Sequence, residues 1–228
     1  MLLQGELGRR LSAAADYVRA GAVFADIGTD HAFLPIFLAG EGKISRAYAC
    51  DVAEKPVQLA KENIKEAGLG DIIEARLTNG FCGLSELGIT DAAVCGMGAE
   101  LICELLSDKS AEFLKTDRIR LILQPMSRAP FLREYLADNG FAVVDEKIVR
   151  DADRQYEIIC AEYTGEKYTL TELEIQLGKK NIERGGSELK ILASRRALHF
   201  SNLLGGKSGE EREKTQRLLD MLKDISEV

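Results

Sequence analysis

Cysteine, histidine and long apolar runs are scarce in this chain, and each shortage removes a class of protein. Its five cysteines, Cys50, Cys82, Cys95, Cys103 and Cys160, are scattered, odd in number and without a Cys-x-x-Cys. That pattern predicts reduced, mostly buried thiols and a cytoplasmic setting, not a disulfide framework. The two histidines lie far from any cysteine in sequence, so no zinc site and no other metal is expected. No apolar run nears the ~20 residues of a membrane span. The first ten residues lack the basic-then-apolar order of a secretory signal. A net charge of −7 argues against indiscriminate nucleic-acid binding.

At 228 residues, with 46% hydrophobic and 29% charged, the chain is long enough for one full α/β domain plus a smaller appendage. An amphipathic helix is expected over 1–20. Strands are expected over 22–27, 46–52, 72–77, 91–95 and 120–124, each followed by a helix; Pro125 ends the last of them. Repeated βα units imply a parallel sheet covered on both faces. Runs 141–149 and 156–163 alternate like paired strands. Such a terminal pair, adding an antiparallel strand, is typical of the class I methyltransferase version of the Rossmann-like sheet. Beyond residue 165 leucines recur at helical spacing on both sides of Gly205-Gly206. This predicts a second domain over 166–228, an antiparallel, coiled-coil-like helical hairpin.

One further absence is local. Ala22 to Ile27 runs into Gly28 and then a helix, which is how a dinucleotide site begins, but the Gly-x-Gly-x-x-Gly is missing. Asp26 and Asp30 flank the turn instead. A pyrophosphate needs bare amides and close glycines. S-adenosylmethionine carries a sulfonium and an ammonium, both positive, and suits flanking carboxylates. This disfavours a nicotinamide-dependent oxidoreductase. In an open parallel sheet the ligand lies across the carboxyl ends of the strands. The cofactor candidates are therefore Asp26, Gly28, Thr29, Asp30, His31, Asp51, Val52, Asn79, Gly80, Gly96, Met97 and Gly98. Asp51 either accepts the ribose hydroxyls or serves as a charge at a helix N-terminus. Asp30 either faces the cationic cofactor or caps the next helix. His31 is either structural or in contact with ligand.

The chain resembles the bacterial tRNA (adenine(22)-N1)-methyltransferases. The likeness rests on Asp26-Ile27-Gly28-Thr29-Asp30-His31-Ala32-Phe33-Leu34-Pro35, Asn79-Gly80, Gly96-Met97-Gly98, Leu121-Ile122-Leu123-Gln124-Pro125 and Tyr156-Glu157-Ile158. The chain departs from that family at Ala99, where glycine is usual, at Met126, often asparagine, and at Asp51, commonly glutamate. The resemblance implies methyl transfer from S-adenosylmethionine to N1 of an adenine in the D-arm of tRNA. Asp30, His31, Asn79, Gly96 and Met97 are then the catalytic candidates. Substrate contacts are expected from Gln124 and from a basic face of Arg9, Arg10, Lys179, Lys180 and Arg184. The last 64 residues hold 12 Lys and Arg against 11 Asp and Glu, whereas the rest holds 18 against 26. A monomer or weak homodimer is expected. Rival readings are methylation of another RNA or a small molecule, and a non-catalytic adaptor that binds the cofactor.

Overall fold

In the computed structural model, residues 7–115 and 119–227 are described. The sequence folds as α1 (Arg9–Tyr17), β1 (Ala22–Ile27), α2 (Phe33–Gly40), β2 (Ile44–Asp51), α3 (Glu54–Glu66), β3 (Ile73–Leu77), β4 (Asp91–Gly98), α4 (Ala99–Ser107), β5 (Arg120–Ser127), α5 (Ala129–Asp138), β6 (Phe141–Asp151) and β7 (Arg154–Tyr163). Four helices follow: α6 (Glu172–Leu177), α7 (Lys179–Arg184), α8 (Ser187–Leu203) and α9 (Gly209–Glu227). The sheet order is β3-β2-β1-β4-β5-β7-β6, and β7 pairs antiparallel with both β5 and β6. This is the Rossmann-like methyltransferase sheet the strand pattern predicted, with the antiparallel strand one place in from the edge. The residue runs explain it. Phe24, Ala25 and Ile27 on β1, and Leu121, Ile122 and Leu123 on β5, are buried whichever face they point to, as a sheet covered on both sides requires.

Three expectations about elements need correcting. Between β3 and β4, residues 78–90 form turns and no helix. β5 does not stop at Pro125 but continues to Ser127. Pro125 lacks an N–H, and it is tolerated because the β4 register shifts between Cys95, Met97 and Gly98 opposite it. The leucine repeat beyond 165 is interrupted at Gly178 and at the pair Gly185-Gly186, which divide it into α6, α7 and α8. Gly178 has φ +86°, and a Cβ there would lie 2.2 Å from the Glu146 carboxylate, so no side chain fits. Of the expected first helix, only Arg9–Tyr17 is helical among the described residues; 1–6 lie outside them.

α8 and α9 form an antiparallel pair with Leu189, Leu192, Ala193, Leu218, Leu219 and Leu222 between them. A buried charge network ties these helices to the sheet. Arg133 of α5 is almost fully buried and donates to Glu146 of β6 and Glu157 of β7, each at 2.7 Å. Arg196 of α8 reaches the other oxygen of Glu157 at 3.1 Å.

Candidate active site

β1, β2, β4 and β5 all end at the same side of the sheet, and nearly all the predicted site residues meet there. Asp26, the second-to-last residue of β1, is buried, and its Oδ2 accepts the Thr29 hydroxyl at 2.6 Å. Burial pushes its carboxyl up to about 6; Asp51 adds to the rise, while the Thr29 bond and the charge of Arg10 oppose it. The chain then turns sharply. Gly28 has φ +77°, and a Cβ on it would fall 2.2 Å from the Met97 methyl. The Gly28 and Thr29 amides both donate to the Cys50 carbonyl, at 2.8 and 2.9 Å. Asp30 and Ala32 take left-handed φ of 53° and 59°, a region that few non-glycine residues occupy.

This geometry removes one of the two roles open for Asp30, the helix cap. Ala32, not Asp30, occupies the N-cap of α2, and no side chain caps that helix. The Asp30 carboxylate is exposed and stands 3.4 Å from His31 Nε2. His31 stacks at 5.0 Å on the exposed Phe33 ring, forming an aromatic ledge beside the turn. Asp51 sits at the end of β2. Its Oδ1 accepts the Ala53 amide at 3.0 Å, just ahead of α3, and its Oδ2 faces the Asp30 amide at 3.4 Å. Both roles considered for Asp51 are therefore compatible, since each carboxylate oxygen keeps a further lone pair. Val52 and Leu77, at the ends of β2 and β3, expose apolar side chains. Asn79 is exposed and its carbonyl accepts the Cys82 amide. Gly80 is buried behind it, where a Cβ would meet Leu105 at 2.7 Å.

On the other flank, Gln124 is fully buried. Its Oε1 accepts the Gly96 amide at 3.1 Å and Arg10 Nη1 at 2.6 Å, and its Nε2 donates to the Pro125 carbonyl at 2.9 Å. Gln124 is thus spent inside the protein and does not present a substrate contact of its own. Gly96, with φ +82°, is exposed, and Met97 and Gly98 carry the end of β4 directly into α4. Cys50 and Cys95 lie near Asp26, but burial and its charge hold both thiols up at about 12, so neither is a nucleophile.

The expected basic face comes apart. Arg10 is in the site, not on a remote surface. Arg184 is tied to the Asp145 carboxylate at 2.6 Å and to the Glu146 carbonyl, and Lys180 to Glu183 at 2.9 Å. Of that set, Arg9 and Lys179 are exposed and in no ion pair among the described residues, with Glu174 near enough to feel the Lys179 charge. Phe33 and Tyr156 join the site, Tyr156 beneath the Arg10 guanidinium at 5.7 Å, though no periodicity or charge pattern marked them as site residues.

The donor set discriminates between cofactors. A pyrophosphate would find the turn amides already bonded to Cys50 and two carboxylates facing it. A cationic sulfonium with an adenosine finds Asp26, a ribose acceptor in Asp51 and apolar surface at Val52 and Leu77. Residues 7–159 match the methyltransferase-domain family, two thirds of the chain. The chain belongs to the methyltransferase-domain family. Over 158 residues it is 36% identical to the tRNA (adenine(22)-N(1))-methyltransferase of Bacillus subtilis, a match covering 69% of this chain and 65% of that protein. Its fold superposes on a Streptococcus pneumoniae candidate tRNA (m1A22) methyltransferase in complex with S-adenosyl-L-methionine, with TM-score 0.85, 31% identity and coverage of 96% and 99% of the two chains. It likewise matches Mycoplasma capricolum TrmK bound to S-adenosyl-homocysteine, with TM-score 0.79, 25% identity and coverage of 97% and 98%. The two structural likenesses extend over α6 to α9, so the C-terminal helices are part of what this methyltransferase shares with them.

Proposed function

We propose that this methyltransferase uses S-adenosylmethionine to methylate N1 of adenine 22 in the D-arm of tRNA. The observation that carries the cofactor half is the turn after β1: Asp26 is buried beside amides that are already satisfied, and Asp51 closes the next strand. The bound cofactor supplies an electrophilic methyl group. Asp51 holds the ribose hydroxyls, Val52 and Leu77 cover the adenine, and Asp26 faces the cationic end.

For the acceptor, chemistry sets a modest demand. N1 of adenine has an in-plane lone pair and is unprotonated at neutral pH, so no strong base is needed. The protein's work is alignment and exclusion of water. N1 lies on the pairing edge, so the base must leave its stack to enter the site. The His31–Phe33 ledge offers it a flat aromatic partner. Carbonyls of the Gly96–Met97–Gly98 segment, Asn79 and the Asp30 carboxylate are acceptors for the N6 amino group, and they stabilise the positive charge that N1 alkylation leaves on the ring.

We place the protein in the cytoplasm as a monomer or weak homodimer. Among the described residues no helix is long and apolar enough to cross a membrane. The exposed apolar side chains of α8 and α9, Ile191, Leu198, Leu203 and Met221, are too few for an obligate interface. The direct test is transfer of a labelled methyl group to bulk tRNA lacking the modification, followed by nucleoside analysis. Label recovered as 1-methyladenosine supports the reading, and its absence ends it.

A further inference from the structure

Arg10 differs from every other arginine that the fold covers. Arg19, Arg46, Arg76, Arg120, Arg133 and Arg196 are buried or half-buried, and each has a carboxylate within 4 Å. Arg10 is half-buried too, yet no carboxylate pairs with its side chain among the described residues. It is nevertheless held firmly. Nη1 donates to Gln124 Oε1 at 2.6 Å, the guanidinium lies over Tyr156, and the Arg10 backbone amide is tied to Asp151 at 3.0 Å. Gln124 cannot flip its amide, because its nitrogen would then oppose both the Gly96 amide and the guanidinium. One N–H of the guanidinium is spent and the others have no protein acceptor among the described residues. A planar cation fixed with open donors is a receptor for a planar oxyanion.

Its position names the oxyanion. Arg10 stands close enough to Asp26 for its charge to be felt there, but the two form no ion pair. Opposite charges that near and not touching suit a ligand that carries both charges. The amino-acid end of S-adenosylmethionine does: an ammonium and a carboxylate on one carbon. We propose that Arg10 binds the α-carboxylate of the cofactor while Asp26 takes the ammonium, with Gln124 as the positioning residue that aims the guanidinium. This rests on the cofactor reading above. It also moves Arg10 from tRNA contact to cofactor contact, and it accounts for α1 being packed against β6 and β7: that helix carries half of a zwitterion clamp.

The test is a binding cycle read by calorimetry, independent of turnover. S-adenosylhomocysteine and its decarboxylated analogue are titrated into the wild-type protein, Arg10→Ala, Arg10→Lys and Gln124→Ala. Loss of the carboxylate from the ligand is expected to weaken wild-type binding ~10- to 100-fold. In Arg10→Ala the two ligands should bind alike, and Arg10→Lys should recover part of the preference because it keeps the charge without the fork. Gln124→Ala should reduce the preference by a smaller factor. If Arg10→Ala keeps the full preference for the carboxylate, the assignment is wrong. It is equally wrong if Arg10→Ala leaves S-adenosylhomocysteine binding intact and weakens only tRNA. Failure of the wild-type protein to bind S-adenosylhomocysteine at all would instead sink the cofactor reading itself.

Discussion

Two regions of the sheet handle charge in opposite ways. Along β6 and β7 every buried charge has a partner in the protein: Arg133 between Glu146 and Glu157, and Arg196 on Glu157. At the carboxyl ends of β1, β2, β4 and β5, charges are brought close and left open. Asp26 has a single hydroxyl partner, Asp30 is exposed, and Arg10 bonds only to an uncharged amide. Both regions carry the cost of taking charge out of water. In the first, the protein supplies the compensation and the result is a joint that sets the C-terminal helices on the sheet. In the second, the compensation is left to a ligand. A site is therefore recognisable as the place where the fold leaves charges unpaired, and not simply as the place with most charge.

The contrast breaks most readily at the joint. Arg133→Ala leaves Glu146 and Glu157 buried with too little positive charge, and should cost ~3–5 kcal/mol of stability in urea unfolding. Replacing the trio by apolar residues of similar volume should cost far less. Equal loss in both would mean that packing, not charge pairing, holds the joint. At the open end the effects should fall on binding and spare stability. Asp51→Ala should weaken S-adenosylhomocysteine by ~10- to 100-fold, the scale of hydrogen bonds to a charged group, with an unfolding midpoint close to wild type.

Asp26 gives the comparison a pH axis. Its folded carboxyl titrates near 6, above its ordinary value of 3.8, so the folded state holds a proton that the unfolded state has lost. Stability from this group is therefore full below about pH 4 and is lost as pH rises through 6, by up to about 3 kcal/mol. Asp26→Asn should remove that fall. Binding runs the other way: a cationic cofactor favours the ionised carboxylate, so affinity should rise with pH through 6 and level off above 7. In Asp26→Asn the rise should vanish. A wild-type binding profile flat from pH 5 to 7.5 would show that Asp26 does not face the cation.

How much of this was legible in the sequence follows from the range of each signal. The sheet was, because βα periodicity and the short strands 22–27 and 120–124 are local patterns. So was the cluster at the strand ends, since topology alone brings Asp26, Asp51, Gly96 and Gln124 together once the strands are assigned. What was not legible depends on contacts between distant segments. Gln124 is placed by Arg10, 114 positions away, and no local pattern records that bond. Arg184 looked free in a run of cations, but its carboxylate partner, Asp145, is on β6. Gly178 lies within the leucine repeat, and its φ of +86° breaks the helix at a point where Glu146 occupies the space a side chain would need. Composition counts charges; only the fold says which of them are already neutralised.

That distinction sets the smallest of the expected effects, on the surface opposite in character to Arg10. Lys179 is in no ion pair among the described residues, though Glu174 feels its charge, whereas Lys180 and Arg184 are paired. If phosphate contact belongs to cations the fold leaves free, Lys179→Glu should weaken tRNA binding a few-fold and lower the slope of log affinity against log salt by ~1, with cofactor affinity unchanged. Lys180→Glu should do less, because Glu183 already offsets that charge. Arg184→Glu should act mainly on stability, since it sets a second carboxylate against Asp145. Equal losses of tRNA affinity from all three, with stability untouched, would mean that the pairs on α7 open when tRNA binds, and that the division between paired and open charge does not hold on this surface.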